Sequence, residues 1–180
     1  MVLTRKQCLE KYGSHYQIKK TVASGDLFQI ERGLYCDQQE ASALEILTAK
    51  YPKAVITMDT AFYFHNLTDV IPDDYYLATP ANAHAIHDGR VRQIFVPAAQ
   101  FSVGVEEMQR QGIKIRIYNK ERMLIELLRN KNKLPYDYYK EIIGNYRKRI
   151  YDLDTESIQD YAERFPKKGM IEEALAKEVF

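Results

Sequence analysis

The sequence predicts an α+β protein with two domains, in which helices and a hairpin come first and a mixed region of strands and helices follows. The chain has 180 residues, of which 46% are hydrophobic and 28% are charged, a composition typical of globular proteins. Glycines separate short periodic segments near its start. Beyond residue 50, runs typical of strands give way to segments typical of amphipathic helices, which indicates an α+β domain.

The first predicted helix lies in the segment TRKQCLEKYG. Thr4 is its predicted N-cap, because a threonine hydroxyl accepts a hydrogen bond from a free amide of the first turn. Cys8, Leu9 and Tyr12 fall on one face at helical spacing. Gly13 ends the helix, since glycine tolerates the positive φ of a helix C-terminus.

A second helix is predicted to begin directly after the first, with Ser14 as its N-cap. Ile18 and Val22 lie four residues apart on its inward face, and the helix ends near Gly25. Only the residues around Gly13 separate the two helices, a connection typical of a helix-turn-helix. The polar and basic residues left on the outward face are His15, Gln17, Lys19 and Lys20.

Apolar and polar residues alternate on both sides of a predicted turn at Glu31, Arg32 and Gly33, which indicates a two-stranded hairpin. Two helices joined by a tight turn and followed by a hairpin form a winged helix-turn-helix. We predict this fold for residues 1–50 and a mixed α+β domain for residues 51–180.

The elements after the hairpin follow from local signals. Asp37 is the predicted N-cap of a third helix over QQEASALEILTAKY, which packs on the first domain or links it to the second. Pro52 biases the residue before it away from helix and marks the boundary between the domains. The predicted strands of the second domain are AVIT, YYLAT, VRQIFV and IKIRIY. Thr57 or Asp59 caps a helix over TAFYFHN, and the later helices follow Asn119, Pro135, Asp154 and Pro166.

The basic residues are concentrated near the start of the chain. Residues 1–36 carry six Lys or Arg and three Asp or Glu, whereas the net charge of the whole chain is +1. This distribution is expected of a small nucleic-acid-binding module, although a solvated basic face has the same charge. In a helix-turn-helix the first turn of the second helix reaches base edges, so Gln17 is expected to pair with adenine and the lysines with phosphates. The predicted DNA-binding residues are Ser14, His15, Tyr16, Gln17, Lys19, Lys20 and Arg32.

The sequence contains no catalytic motif that we recognise: it has no glycine-rich phosphate loop, no G-x-S-x-G and no H-E-x-x-H. We expect a protein that is not an enzyme and that needs no cofactor or metal. The nearest metal motif is His84 and His87 beside Asp88, but it lies in a turn-like segment with no further ligands nearby. Cys8 and Cys36 are far apart and are expected to be reduced core residues.

Two further features bear on location and partners. No apolar run approaches the roughly 20 residues that span a bilayer, and we expect a cytoplasmic protein. Residues 129–149 mix seven basic side chains with four tyrosines, a pattern that suits nucleic-acid contact and stacking. The same pattern is typical of a helix that packs its tyrosines inward and leaves its charges in water.

The segment LTRKQCLEKYGSHYQIKKTVASGDLFQIERGLY resembles the N-terminal domain of the AbiEi family of antitoxins, whose hairpin ends in an Arg-Gly-x-Tyr-like element, here Arg32 to Tyr35. AVITMDTAFYFHNLTDVIP resembles the opening of the family's second domain through Ala61, His65 and Leu67. IYNKERMLIELL resembles a later helix of that domain through Glu121, Arg122 and Leu124.

The resemblance implies the antitoxin of a type IV, AbiE-like toxin-antitoxin system, a kind of system that acts in abortive infection. Its N-terminal domain would bind operator DNA and repress its own operon. Its C-terminal domain would counteract a nucleotidyltransferase-like toxin without a stable direct complex. Two alternatives stay open: a winged helix that docks a protein instead of DNA, and a metal-dependent enzyme that uses His84 and His87.

Overall fold

The computed structural model describes residues 1–180, which divide into two compact units, Met1–Lys53 and Ala54–Phe180. Each unit combines helices with its own sheet, so the predicted α+β class is confirmed. None of the nine α-helices has the length and apolar character needed to cross a membrane.

The first unit contains three helices and a three-stranded antiparallel sheet in the order β1-β3-β2. Strand β1 was not predicted from the sequence. Its three residues are too short for a visible pattern, and it forms by pairing with β3, with Leu3 opposite Tyr35. The elements are β1 (Val2–Thr4), α1 (Arg5–Tyr12), α2 (His15–Ala23), β2 (Phe28–Glu31), β3 (Leu34–Cys36) and α3 (Ala43–Lys50).

The ends of α1 and α2 and the hairpin follow the sequence prediction. The Thr4 hydroxyl accepts a hydrogen bond from the Gln7 amide, and Gly13 ends α1 with φ of 80°. The Ser14 hydroxyl accepts from the Gln17 amide at 3.2 Å. Strands β2 and β3 pair antiparallel, and Gly33, in the turn between them, has φ of 80°. These elements form because cap and turn residues satisfy backbone groups locally.

The core of the first unit has two parts, because successive residues of β1 point to opposite faces of the sheet. Leu3 belongs to the part that buries α1 and α2, and Val2 to the part that buries α3. The fully buried members of the first part are Leu3, Cys8, Ile18 and Leu27. Those of the second part are Val2, Leu34, Cys36 and Ile46.

The predicted start of the third helix is wrong. The Asp37 carboxylate accepts a hydrogen bond from the Met1 amino group at 2.8 Å and caps no helix. Helix α3 begins at Ala43 instead, where the Ser42 hydroxyl accepts from the Glu45 amide. The helix packs on the first unit through Ile46.

The second unit is built on a five-stranded mixed sheet in the order β6-β5-β4-β8-β7, in which β5 and β6 are parallel, β4 and β8 are parallel, and the other pairs are antiparallel. Its strands are β4 (Val55–Ile56), β5 (Tyr75–Pro80), β6 (Val91–Val96), β7 (Val105–Arg110) and β8 (Ile113–Tyr118). Its helices are α4 (Met58–Phe64), α5 (Ala98–Phe101), α6 (Lys120–Arg129), α7 (Tyr136–Lys148), α8 (Thr155–Arg164) and α9 (Lys168–Ala174).

Local signals identified most elements of this unit, with three differences. The short helix α5 was not predicted. Strand β7 was not predicted, because its sequence VEEMQR contains four charged or amide side chains. Thr57 stands at the N-cap position of α4 but makes no side-chain capping bond. Asn119 and Asp154 cap α6 and α8 as expected.

Helix α6 is the centre of the second unit. Six of its residues are buried, and one of them is the charged Arg122. The Arg122 guanidinium lies 3.9 Å from the centre of the Phe165 ring and 4.7 Å from that of Tyr118, and it forms an ion pair with Glu126 at 2.6 Å. These contacts compensate the cost of burying its charge.

We predict that Gly104→Ala destabilises the second unit. Gly104 has φ of +71°, and a Cβ built there lies 2.5 Å from Cβ of Arg122 and 2.8 Å from Oδ1 of Asn119. The strained backbone and the clash should together lower the free energy of unfolding by at least about 2 kcal/mol, measured by chemical denaturation. Gly144→Ala is the control, because its Cβ meets nothing within 4 Å and α7 should tolerate alanine. Equal stability of the two variants would contradict the prediction.

Candidate nucleic-acid interface

The predicted DNA-binding residues lie on helix α2 and on the turn between β2 and β3. Tyr16 is 73% exposed, and Ser14 is half-buried at the N-cap. We call the exposed set the α2–hairpin surface. Its members are His15, Tyr16, Gln17, Lys19, Lys20 and Arg32.

The burial of Ile18, together with Val22 one turn later, orients helix α2. Ile18 is only 3% exposed and packs with Cys8 and Leu27, while Val22 packs beside them one turn later. Because a helix turns 100° per residue, burial of positions 18 and 22 turns Lys19 and Lys20 toward solvent. The sequence pattern therefore predicted correctly which face of α2 is buried and which is exposed.

Ser14 has a structural role in this unit. Its hydroxyl accepts the hydrogen bond from the Gln17 amide and so satisfies one of the free N–H groups at the start of α2.

A contact that sequence reasoning missed lies beside this surface. The guanidinium Nη2 of Arg5 donates a hydrogen bond to Nε2 of His15 at 3.1 Å. The backbone amide of the same arginine donates to the carbonyl of Gly33, in the hairpin turn, at 2.8 Å. Arg5 thus touches both the first turn of α2 and the hairpin turn. No periodicity or spacing relates residues 5, 15 and 33, and only the three-dimensional fold brings them together.

The six basic residues among the first 36 positions are not neutralised by acids. None of the six forms an ion pair; Arg5 bonds to His15, and Lys11 lies over the ring of Tyr12. The acids near the sheet have other partners. Glu31 pairs with Lys50 at 2.9 Å, and Asp37 pairs with the Met1 amino group. The six basic residues are Arg5, Lys6, Lys11, Lys19, Lys20 and Arg32.

In the second unit, about half of the basic residues stand in ion pairs within the unit. The pairs include Arg90–Asp88, Arg92–Asp74, Lys114–Glu107, Arg122–Glu126, Lys131–Glu178, Arg164–Asp160, Lys168–Glu163 and Lys177–Glu173. Exposed lysines outside these pairs also occur in the second unit, among them Lys133, Lys140 and Lys148. What distinguishes the start of the chain is that none of its six basic residues up to Arg32 is paired with an acid.

The tyrosine-rich stretch 129–149 has mostly structural contacts. Tyr139 and Tyr146 are buried in α7, and the Tyr146 hydroxyl donates to the carbonyl of Lys120 at 2.8 Å. Burial raises the pKa of both phenols. Tyr138 donates to a carboxylate oxygen of Asp59, and only Tyr136 is exposed. Of the two interpretations of this stretch, nucleic-acid contact and a helix that packs its tyrosines inward, these contacts match the second.

The histidines and cysteines of the chain do not form a metal site. His84 and His87 are exposed in the loop between β5 and β6, and no three His, Cys, Asp or Glu residues stand close enough to hold a metal ion. His65 is buried, donates from Nε2 to the carbonyl of Tyr118 at 2.7 Å, and has its pKa lowered by burial. Cys8 and Cys36 are free and buried, as predicted.

Comparison with known proteins yields no assignment: no family model matches the chain, and no curated protein matches it.

We predict that Ser14→Ala weakens the first unit. Loss of the N-cap should lower the free energy of unfolding of this unit by about 1 kcal/mol. Ser14→Asn should lower it much less, because the amide oxygen of asparagine also caps a helix. Denaturant titration followed by circular dichroism measures both. Unchanged stability of Ser14→Ala would assign the serine no capping role.

Proposed function

We propose that this chain is a DNA-binding transcriptional repressor whose first unit is a winged helix-turn-helix. The observation that carries the proposal is the α2–hairpin surface, where Lys19, Lys20 and Arg32 are exposed without any acidic partner. Unpaired cations on one exposed surface favour binding to the phosphates of nucleic acid, which release counterions when they are neutralised.

The elements have separate roles in this proposal. Helix α2 enters the major groove, and Gln17 in its first turn hydrogen-bonds an adenine edge. Lys19 and Lys20 bind phosphates, which add affinity and salt dependence but little choice of sequence. Arg32, at the tip of the hairpin, binds the adjacent backbone or minor groove.

We further propose that the chain is the antitoxin of a type IV, AbiE-like toxin-antitoxin system that represses its own operon. The resemblance of its segments to the AbiEi family supports this part of the proposal. The second unit then counteracts a nucleotidyltransferase-like toxin encoded beside it, without a stable complex.

One observation favours a competing function. Tyr16 exposes 73% of its surface in the first turn of α2, and exposed tyrosines are common in protein interfaces. Helix α2 would then dock a protein partner. Salt dependence separates the two functions, because only phosphate contacts give a steep loss of affinity with salt.

We predict that Lys19→Glu and Arg32→Ala weaken binding to the DNA upstream of the gene of this protein and leave the fold intact. Loss of the Arg32 contact should lower the slope of log affinity against log salt by about 0.9, and charge reversal at Lys19 should have a larger effect. Gel-shift titration at several salt concentrations measures both. Lys167→Glu, the same charge change on an exposed lysine of the second unit, is the control.

Normal DNA binding by both variants would contradict the assignment of this surface. No specific binding by the unmodified chain at any salt concentration would move the assignment to protein docking.

The antitoxin function has its own test. The unmodified chain should restore growth when it is co-expressed with the neighbouring toxin. Lys19→Glu, expressed from an unrelated promoter, should restore growth equally well, because the proposal assigns neutralisation to the second unit. Failure of the unmodified chain to restore growth would contradict the antitoxin proposal and leave the DNA-binding proposal intact.

A further inference from the structure

Arg5 joins the two parts of the α2–hairpin surface. Its backbone amide bonds to the carbonyl of Gly33 in the hairpin turn, and its guanidinium bonds to His15 in the first turn of α2. The residue is the first of α1, and the capping box formed by Thr4 and Gln7 holds its backbone in place. One arginine is therefore anchored through its backbone and oriented through its side chain.

The chemistry of this contact determines the role of His15. A guanidinium has only donors, so Nε2 of His15 accepts the hydrogen bond and the ring carries its proton on Nδ1. A neutral imidazole in this arrangement adds no charge to the surface. Because its Nε2 lone pair is occupied by Arg5, His15 orients the arginine rather than using that atom on a base edge.

The remaining donors of Arg5 have no partner in the protein. A guanidinium carries five N–H donors in a planar fork, and the bond to His15 uses one of them. Arg5 is exposed and forms no ion pair. A planar fork with free donors binds the oxygens of a phosphate in a bidentate manner, which suits it to nucleic acid.

We propose that Arg5 is a DNA phosphate-binding residue and that His15 is its positioning residue. The inference rests on the proposed DNA-binding function and adds a residue of α1 to the surface. The bound phosphate lies on the duplex backbone between the groove that receives α2 and the segment that meets the hairpin. This location agrees with the docking of helix-turn-helix proteins, in which the first helix crosses the DNA backbone.

The test compares Arg5→Ala with Lys6→Ala in salt-dependent binding to duplex DNA from upstream of the gene. Both variants remove one exposed positive charge from the start of α1, and the first keeps the backbone bond to Gly33. Arg5→Ala should reduce affinity roughly tenfold or more, the effect of a lost charge-assisted hydrogen bond, and lower the salt slope by about 0.9. Lys6→Ala should change the affinity and the salt slope much less. Equal effects of the two variants would overturn the proposal, because they would reflect general charge.

The role of His15 is tested in the same assay. His15→Ala should weaken binding roughly three- to tenfold, the range of a lost neutral hydrogen bond, and His15→Gln should restore it because the amide oxygen also accepts from Arg5. In the Arg5→Ala background, His15→Ala should have no further effect. Additive losses, or no recovery with glutamine, would overturn the positioning role.

The outcomes separate this inference from the proposed function. If the unmodified chain does not bind DNA, the proposed function itself is wrong. If Lys19→Glu weakens binding while Arg5→Ala matches the unmodified chain, only the role of Arg5 is wrong. Circular dichroism of each variant excludes loss of fold as the cause.

Discussion

The burial of Ile18 against Cys8 and Leu27 is the constraint on which the first unit depends. Helix α2 has nine residues, and Ile18 is its one fully buried side chain. Rotating the helix by one residue would expose that isoleucine and bury a lysine, at a cost of a few kcal/mol for the apolar side chain and more for the charge. The outward direction of Lys19 and Lys20 is therefore a consequence of core packing. Core packing thus sets the orientation of the helix before it meets a ligand, which reduces the entropy lost on binding.

The positions of the acidic residues determine the local charge of the first unit as much as the positions of the basic residues do. Glu31 is the last residue of β2, next to Arg32, yet it pairs with Lys50, and Asp37 pairs with the Met1 amino group. Hydrogen bonding to that amino group lowers the pKa of Asp37 and raises that of the amine to about 10. These contacts join the end of the sheet to the start of the chain and to α3. They also keep carboxylates occupied at positions other than the α2–hairpin surface, so a near-neutral protein still presents a locally positive field.

Local chemistry made much of the fold predictable, and long-range contacts explain the rest. The caps Thr4, Ser14 and Asn119 could be identified because a cap acts within one turn of its own position. The predicted cap at Asp37 was wrong because its carboxylate is bound by an amine 36 residues away. Strands β1 and β7 escaped prediction for the same reason: both depend on partner strands rather than on a pattern of their own. The contact between Arg5 and His15 is of this kind as well, so sequence reasoning identified the exposed residues of α2 and missed the arginine that contacts both α2 and the hairpin turn.

Most of the residues that carry the family resemblance in the second unit belong to its core, and Glu121 is half-buried. Ala61 and Leu67 are completely buried, as are Arg122 and Leu124, and His65 is 3% exposed. Arg122 contacts Tyr118 and Phe165 and pairs with Glu126, and its side chain leaves Gly104 no room for a Cβ. A resemblance made of such residues reflects how the second unit packs, since these side chains reach no partner. In the first unit it includes Arg32, an exposed cation of the α2–hairpin surface. The resemblance thus includes an exposed cation in the first unit and mostly core residues in the second, which is why the proposed DNA binding and the proposed antitoxin activity need separate experiments.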